Sequence, residues 1–289
     1  MLNSKWILTY ISVFYLSIFT GRACAFGADG HRIIVGIAEN HLSEKTALEI
    51  KSITDDLGEL SLWPDKIRGI PVWKKSKYWH YINVADHQQV GTAKRSAKGD
   101  VLSALNHSYL QLANPELSSR ERRDALGFFI HFAGDIHQPL HVGRHNDRGG
   151  NSIAIKWPKN KRTKNLHWVW DSGLIAIAKL SVEDYIERLD TVSEKQAEQW
   201  QQDSFLHWAE ESKSLRPQVY EFGLKNPAGN IGKKPLAISA DYINRNQPII
   251  EKRLLMAGIR LAGKLNQIFD PQNETFSPET MAGKNSSKK

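Results

Sequence analysis

Apolar side chains recur through most of the chain three and four positions apart, the spacing that places them on one face of an α-helix. Three such faces are formed by Ile33, Ile34, Ile37 and Ala38, by Ala47, Leu48 and Ile50, and by Val101, Leu102, Leu105, Tyr109 and Leu112. Pro64, Pro71 and Pro115 interrupt the pattern between helices. The pattern therefore predicts an all-α fold.

Residues 124–137 are apolar almost all round, which is typical of a helix buried at the centre of a domain. Polar side chains within this segment need a specific explanation. Further helices are predicted over residues 182–202 and 205–213, and a long one, with Pro248 in its first turn, ends near Phe269.

One interruption of the helical pattern has the character of a β-hairpin. Residues 147–151 form a glycine-containing turn sequence, and residues 153–157 have strand character. We therefore predict one all-α domain over residues 26–269 with a short β-hairpin insertion. The polar segment 270–289 is predicted to be a disordered tail.

The first 25 residues have the features of a cleaved signal peptide. Lys5 precedes an apolar run of 14 residues, and the segment ends Ala23-Cys24-Ala25, an Ala-x-Ala cleavage pattern. An uncleaved anchor is the alternative, but the run is shorter than the roughly 20 residues that span a bilayer. Lipid attachment at Cys24 is a second alternative, although the residues before it lack the usual leucine.

Composition limits the chemistry of the predicted mature chain. With 40% hydrophobic residues and nine tryptophans, a chain of this length can bury a sizeable core. Cleavage removes Cys24, the only cysteine, so a bound metal would need His, Asp, Glu or the chain terminus. Cleavage also lowers the formal charge from +8 to +6, which suits a polyanion such as nucleic acid or an anionic membrane.

Two polar side chains stand out in the apolar central segment. His131 and Asp135 are four residues apart and so share one helix face. A structural hydrogen bond would explain this pair alone, because buried polar groups commonly pair. The wider pattern favours metal binding, since His and Asp recur among aromatic residues at Asp65, His80, His141, His167 and Asp171. This nitrogen and oxygen set is one that zinc accepts without thiolates.

Six segments together resemble the S1/P1-type nucleases, zinc enzymes related to zinc phospholipases C. They are residues 27–31 (GADGH), 63–68 (WPDKIR), 79–83 (WHYIN), 131–141 (HFAGDIHQPLH), 149–151 (GGN) and 165–173 (NLHWVWDSG). The resemblance extends from Phe26 to about Ile175.

The resemblance implies three zinc ions. The first would be bound by Asp65, His80, His131 and Asp135. The second would share Asp135 and use His31 with the terminal amine and carbonyl of Phe26. The third would use His141, His167 and Asp171. The family usually begins with tryptophan where this chain has Phe26.

The same resemblance implies roles around the metals. Asp65 would also orient the attacking water, and Arg68 would neutralise charge on the phosphoryl oxygens. Tyr81 would stack on an unpaired base, with Asn83 and Asn151 as further substrate-binding residues. His137 is interpreted as a structural or supporting residue, as are His41, His87, His107, His145 and His207.

We therefore expect a secreted or periplasmic nuclease that cuts single-stranded DNA and RNA to 5′-phosphate products and has 3′-nucleotidase activity. A phospholipase C on the same scaffold is one alternative, although Asp171 and residues 138–141 favour the nuclease branch. A non-catalytic polyanion-binding protein is the other. We expect a monomer with no stable membrane association and no protein partner.

Overall fold

A computed structural model describes residues 26–158, 162–223 and 234–272. The predicted signal peptide and residues 273–289 of the predicted tail lie outside these ranges. Its helices are α1 (Ala28–Asn40), α2 (Glu44–Ile53), α3 (Leu57–Ser61), α4 (Trp63–Ile67), α5 (Val101–Leu112), α6 (Ser119–Asp135), α7 (Leu166–Trp168), α8 (Leu174–Ile177), α9 (Val182–Leu189), α10 (Glu194–Gln201), α11 (Phe205–Ser214), α12 (Arg216–Val219) and α13 (Ala240–Phe269). Single turns of tighter helix occur at Pro71–Trp73, Ser76–Tyr78 and Val90–Thr92, and a π-helical turn, Val169–Gly173, joins α7 to α8.

The predicted central helix is α6. Its first turn is stabilised by a capping box, in which Ser118 and Glu121 satisfy each other's backbone amides. Every residue from Ala125 to Asp135 is buried. Helices α1, α3, α4, α5 and α13 pack around it, so its polar side chains lie at the centre of the molecule.

Within the described ranges, five short strands lie beside the helices. Strands β1 (Ile82–Asn83) and β2 (Val142–Gly143) pair in parallel, with Ile82 opposite Val142. Strand β3 (Ala154–Lys156), within the predicted strand segment 153–157, pairs antiparallel with β4 (Lys164–Asn165) and parallel with β5 (Leu236–Ala237). The predicted turn at residues 147–151 precedes β3, so β3 pairs with the strand that follows it and not with a strand across that turn. The all-α fold with a short hairpin is confirmed, while the β1–β2 pair and β5 were not predicted.

Three local predictions were wrong. On α2 the buried residues are Thr46 and Ile50, whereas Leu48 is 65% exposed. The Thr46 hydroxyl can be buried because its oxygen accepts a hydrogen bond from Ser43 Oγ. The helix predicted over residues 182–202 is two helices, α9 and α10. The chain breaks at Asp190, whose carboxylate accepts from Asn40 Nδ2 and contacts His41 Nε2, and Ser193 then caps α10.

The third error concerns Pro248, which lies inside α13 instead of in its first turn. The helix begins at Ala240 behind the cap of Ser239, whose side chain accepts from the Tyr242 amide. The helix does end at Phe269, as predicted. In the part of the chain that the structure describes, no helix has both the length and the hydropathy to cross a membrane.

Candidate metal centre

His131 and Asp135 on α6 lie one turn apart and form the centre of the site. His131 Nε2 is 3.3 Å from Asp135 Oδ2, and neither side chain is exposed. The other ring nitrogen, Nδ1, is 2.7 Å from the Ser61 carbonyl oxygen, to which it donates as an N–H. That bond assigns the proton to Nδ1 and leaves the Nε2 lone pair directed towards the centre of the site.

Two further predicted ligands join this pair: Asp65 on α4, and His80, two residues before β1. His80 Nδ1 is 3.0 Å from Asp135 Oδ2 and 2.9 Å from His131 Nε2. Asp65 Oδ1 is 3.7 Å from His80 Nδ1 and 3.8 Å from His131 Nε2. Side chains from three separate segments of the chain therefore direct ligand atoms into one small space.

His31 approaches the opposite oxygen of Asp135 from α1. Its Nε2 lies 3.6 Å from Asp135 Oδ1, and its ring stacks on His131 with centroids 4.0 Å apart. Gly134 makes this approach possible, because a Cβ at that position would lie 2.9 Å from His31 Nδ1. Asp135 thus faces two groups, one through each carboxylate oxygen.

Phe26, the remaining predicted ligand of this group, is fully buried beside α1. A Cβ at Gly30 would lie 2.9 Å from Phe26 Cβ, so the absence of a side chain there lets α1 pack closely on this residue. The next residue, Gly27, donates its amide to the Asp171 carbonyl oxygen at 2.8 Å. The backbone at residues 26 and 27 is therefore held between His31 and the third predicted ligand group.

The third group contains His141, His167 and Asp171. His167 Nε2 is 3.3 Å from Asp171 Oδ2, His141 Nε2 is 3.8 Å from Asp171 Oδ1, and the two imidazoles stack at 4.9 Å. Backbone carbonyls orient both rings: His141 Nδ1 donates to His80 O, and His167 Nδ1 donates to Gly149 O. The Nε2 atoms of both histidines are thereby directed towards Asp171.

These side chains fit a metal site because several of their buried polar atoms have no hydrogen-bond partner. The unpartnered atoms are both ring nitrogens of His31, His80 Nε2, Asp135 Oδ1 and His141 Nε2. Burial of an unsatisfied polar atom costs about 1–3 kcal/mol. Imidazole nitrogens and carboxylate oxygens are donors that zinc accepts, so bound zinc would remove this cost.

Burial also sets the protonation states that a metal site requires. It lowers the pKa of His31, His80, His131 and His141, and it lowers the pKa of His167 to about 4. These imidazoles are therefore neutral and keep a lone pair near neutral pH. Burial raises the pKa of Asp135 to about 7 and that of Asp171 well above its ordinary value. A bound cation would favour both carboxylates in their ionised form.

Three of the proposed ligand side chains form part of the wall of a cavity of about 310 Å³, which we call the metal pocket. Arg68, Tyr81, Asn83 and Asn151, predicted around the metals, all line it together with His80, His141 and His167. Arg68 Nη2 is also 3.0 Å from Asp65 Oδ1. The Tyr81 side chain is 37% exposed, so one aromatic surface is accessible beside the ligands.

Sequence reasoning missed several residues of this pocket. Lys77, His145 and Arg148 line it, and the side chain of His145, which was predicted to be structural or supporting, is exposed. Gln138 is buried and donates from Nε2 to Asp171 Oδ1 at 2.6 Å. Gln138 could have been predicted to lie near the site, because it belongs to the motif 131–141 that contains three of the proposed ligands.

Two other histidines lie outside the site. His137 Nδ1 donates to the Ala133 carbonyl oxygen, and His137 Nε2 is 3.1 Å from Arg260 Nη1. His207 forms a further His/Asp/Glu group with Asp203 and Glu211 on the exposed side of α11. Both acids of that group are already paired with the buried Arg260.

Comparison with known proteins agrees with this geometry. The model of the S1/P1 Nuclease family matches residues 26–270. Endonuclease 1 of Arabidopsis thaliana is 31% identical over 85% of this chain and 87% of its own length. Endonuclease 4 of the same plant is 29% identical over 90% and 94%, and Nuclease S1 of Aspergillus oryzae is 26% identical over 84% and 91%. The chain therefore belongs to the S1/P1 nuclease family and is a hydrolase that acts on nucleic acids.

Proposed function

We propose that this protein is a zinc-dependent endonuclease that hydrolyses single-stranded DNA and RNA to 5′-phosphate products and also acts as a 3′-nucleotidase. The observation that carries the proposal is the convergence of three His/Asp groups beside a pocket that also contains cations and an exposed aromatic ring. Metals, a phosphate-binding cation and a stacking surface are the parts that hydrolysis of a single strand requires.

We assign three zinc ions to these groups. Asp65, His80, His131 and Asp135 would hold the first, and His31, Asp135 and the terminal amine and carbonyl of Phe26 would hold the second. His141, His167 and Asp171 would hold the third. When bound, zinc lowers the pKa of water and polarises phosphoryl oxygens, which supplies the nucleophile and the charge stabilisation for phosphodiester hydrolysis.

The side chains of the pocket have their own tasks. Asp65 and Arg68 form an ion pair at 3.0 Å at the edge of the first group. The guanidinium of Arg68 lines the pocket, where its planar donors match the oxygens of a phosphate. We assign Asp65 to orient the attacking water and Arg68 to bind the phosphoryl oxygens.

Strand selectivity is assigned to Tyr81. A base stacks on a tyrosine ring only when its face is free, and the bases of a duplex are already stacked on their neighbours. Asn83 and Asn151 line the same pocket and supply amides that both donate and accept hydrogen bonds. We assign them to the base and sugar groups next to the cleaved bond.

The proposed second zinc ion requires that Phe26 be the first residue of the mature protein. We therefore propose that residues 1–25 are a signal peptide removed on export, and that the mature enzyme acts as a monomer in the periplasm or outside the cell. An α-amino group titrates near 7.7 to 8.0, so a metal ion can displace its proton at neutral pH. The uncleaved precursor would lack this ligand.

The test compares substrates and metal content on one preparation of secreted protein. We expect release of acid-soluble nucleotides from denatured DNA and RNA, slower release from duplex DNA, and loss of both activities with EDTA. Amino-terminal sequencing should give Phe26, and elemental analysis should give three zinc ions per chain.

The alternatives make different predictions for the same preparation. Hydrolysis of phosphatidylcholine without release of nucleotides would instead indicate a phospholipase C. Binding of single strands with no EDTA-sensitive turnover would indicate a non-catalytic polyanion-binding protein. Either result would overturn the proposal.

A further inference from the structure

A second cavity opens directly beside the metal pocket and shares three of its residues. It encloses about 520 Å³, and Tyr81, Asn83 and His145 line both cavities. Its other wall is the segment Lys94–Asp100 together with Tyr78. We call this cavity the lateral groove. A ligand that occupies the metal pocket next to Tyr81 can extend into the groove without crossing the protein.

The chemistry of the lateral groove is that of a binding surface for anions. Among the described residues that line it, the only acidic one is Asp100, which is buried. Its carboxylate accepts from Arg95 Nε at 2.9 Å and from the Ser103 amide at 3.0 Å. Lys94 and Lys98 are exposed on its rim. Within the described ranges, neither ammonium lies within 4.0 Å of a carboxylate. The groove therefore offers positive charge that no acid of the described chain neutralises.

Two aromatic contacts position cations at this surface. The Lys98 ammonium lies 4.7 Å from the centroid of the Tyr78 ring, and the Lys77 ammonium lies 4.9 Å from it. A cation held near an aromatic ring has lost part of its conformational freedom, so less is lost when it binds an anion. Tyr78 thus links a lysine of the metal pocket to a lysine of the lateral groove.

The segment that carries Lys94 and Lys98 is fixed by hydrogen bonds. Arg95 forms a two-point ion pair with Asp100, the Trp79 indole donates to the Lys98 carbonyl oxygen at 3.2 Å, and the Gly99 amide donates to Ser96 O at 3.0 Å. Gly99 has φ +88°, a conformation that glycine adopts without strain. The lysines are thus presented on a preformed surface.

We propose that the lateral groove binds the sugar-phosphate backbone of the strand beyond the cleaved bond, so that the enzyme prefers long single strands to dinucleotides and mononucleotides. The inference rests on the proposed nuclease function and names its preferred substrate. The groove contains no His/Asp group capable of holding a metal ion among its described residues, so its role is binding alone. Lys94 and Lys98 contact phosphates outside the bond that is cut.

The experiment measures steady-state kinetics on a dinucleotide and on a single-stranded decanucleotide. The double variant Lys94→Ala/Lys98→Ala should raise KM for the decanucleotide about tenfold and leave kcat/KM for the dinucleotide within about twofold of wild type. The slope of log(1/KM) against log salt for the decanucleotide should become shallower by about 1.4, since each phosphate contact on a single strand contributes about 0.7.

A matched charge control and a second groove variant isolate the effect of the groove. Lys195→Ala/Lys252→Ala removes equal charge from exposed positions on α10 and α13 that line neither cavity, and it should leave both substrates unaffected. Tyr78→Leu, which removes the ring beside both ammonium groups, should raise KM for the decanucleotide.

Three results would overturn the inference: an unchanged KM and salt slope in the double variant, equal loss on both substrates, or equal loss in the control pair. If the wild-type protein cleaves neither substrate, the proposed function fails instead. The groove is then tested by fluorescence anisotropy of a labelled decanucleotide, where the Lys94→Ala/Lys98→Ala variant should still bind about tenfold more weakly than wild type.

Discussion

Asp135 is the residue on which the candidate metal centre depends most. One carboxylate oxygen faces His80 and His131, and the other lies 3.6 Å from His31. A fully buried carboxylate is costly to ionise, as the rise of its pKa to about 7 shows. Its position between two groups of neutral histidines fits the proposal that cations are bound on both sides.

The variant Asp135→Asn should therefore be the most damaging single change in the site. An amide has nearly the same shape but only one oxygen, and it cannot supply the negative charge that both proposed zinc ions share. We expect bound zinc to fall by more than one ion per chain, and activity to fall by more than the roughly 10–100-fold that loss of a supporting residue causes. Elemental analysis and nucleotide release measure the two effects.

Asp241→Asn is the matched control, because Asp241 is exposed in the first turn of α13. It should keep wild-type zinc content and activity. If Asp135→Asn kept all of its zinc, the sharing of this carboxylate by two metals would be wrong.

At the scale of elements, α13 holds the end of α6 in place beside the ligands. Arg253 Nε donates to the His137 carbonyl oxygen at 3.0 Å, and Arg260 Nη1 lies 3.1 Å from His137 Nε2. Both guanidinium groups are buried and pair with Glu211 on α11. This network fixes the turn that follows Asp135 and leads to His141.

Replacing one arginine of this network should destabilise the whole fold. Arg260→Leu leaves Asp203 without its arginine partner and leaves Glu211 with Arg253 alone. The loss of one member of a buried pair costs about 3–5 kcal/mol. We expect a loss near the lower limit, about 3 kcal/mol, because both acids are partly exposed. Urea unfolding gives the value.

Arg188→Leu provides the comparison, since Arg188 is 44% exposed and pairs with Glu251 at the surface. Such pairs contribute less than about 1 kcal/mol. Equal losses in Arg260→Leu and Arg188→Leu would show that the buried network does not stabilise the end of α6.

The sequence predicted elements best where periodicity and burial agree. Helices α1, α5 and α6 bury the predicted apolar faces, and β3 forms within the predicted strand segment 153–157. The break between α9 and α10 depends on contacts of Asp190 with residues 150 positions away, which no local pattern reveals. The two-residue strands β1 and β2 are set by a tertiary pairing and are too short for an alternating pattern.

The sequence motifs identified the candidate ligands but did not predict how their side chains are oriented. Carbonyl oxygens of Ser61, His80 and Gly149 fix three of the imidazoles, and any residue type can supply a backbone carbonyl. Lys77, His145 and Arg148 line the pocket, but no sequence motif identifies them as pocket residues. Basic residues are common along the chain, so a basic residue alone does not indicate a binding site.

For the molecule as a whole, the buried histidines predict how the metal-depleted protein responds to acid. Six of them have a pKa lowered by burial, among them His167 at about 4. The unfolded chain therefore binds more protons than the folded chain below pH ~6.5, so stability is lost as pH falls towards about 4. The raised pKa values of Asp135 and Asp171 have the opposite effect, because these carboxyl groups bind protons more readily in the folded chain. Two such groups offset only part of the effect of six histidines.

We expect the free energy of unfolding of the EDTA-treated protein to fall by at least about 2 kcal/mol between about pH 7 and about pH 5. His167→Gln should make this dependence shallower, because the variant has one buried imidazole fewer. His87→Gln, at an exposed position, should leave it unchanged. A stability that is constant or rises towards pH 5 would contradict the argument.

Removal of the signal peptide would expose the terminal amine of Phe26, which we propose as a zinc ligand. Phe26 is buried, Gly27 is bonded to Asp171, and His31 lies one turn into α1. If the Phe26 amine binds zinc, one added residue removes the ligand by converting the amine to an amide, whatever its sequence. A mature chain extended by a single glycine before Phe26 should therefore lose zinc and most of its activity. A short tag after Lys289 is the control and should leave both unchanged. Residues 271 and 272, where the described chain ends, line neither the metal pocket nor the lateral groove. Zinc content and nucleotide release from denatured DNA distinguish the two proteins, and removal of the glycine by an aminopeptidase should restore both. Full activity in the extended protein would show that the backbone of Phe26 is positioned by packing alone and that the second zinc ion, if bound, depends on side chains.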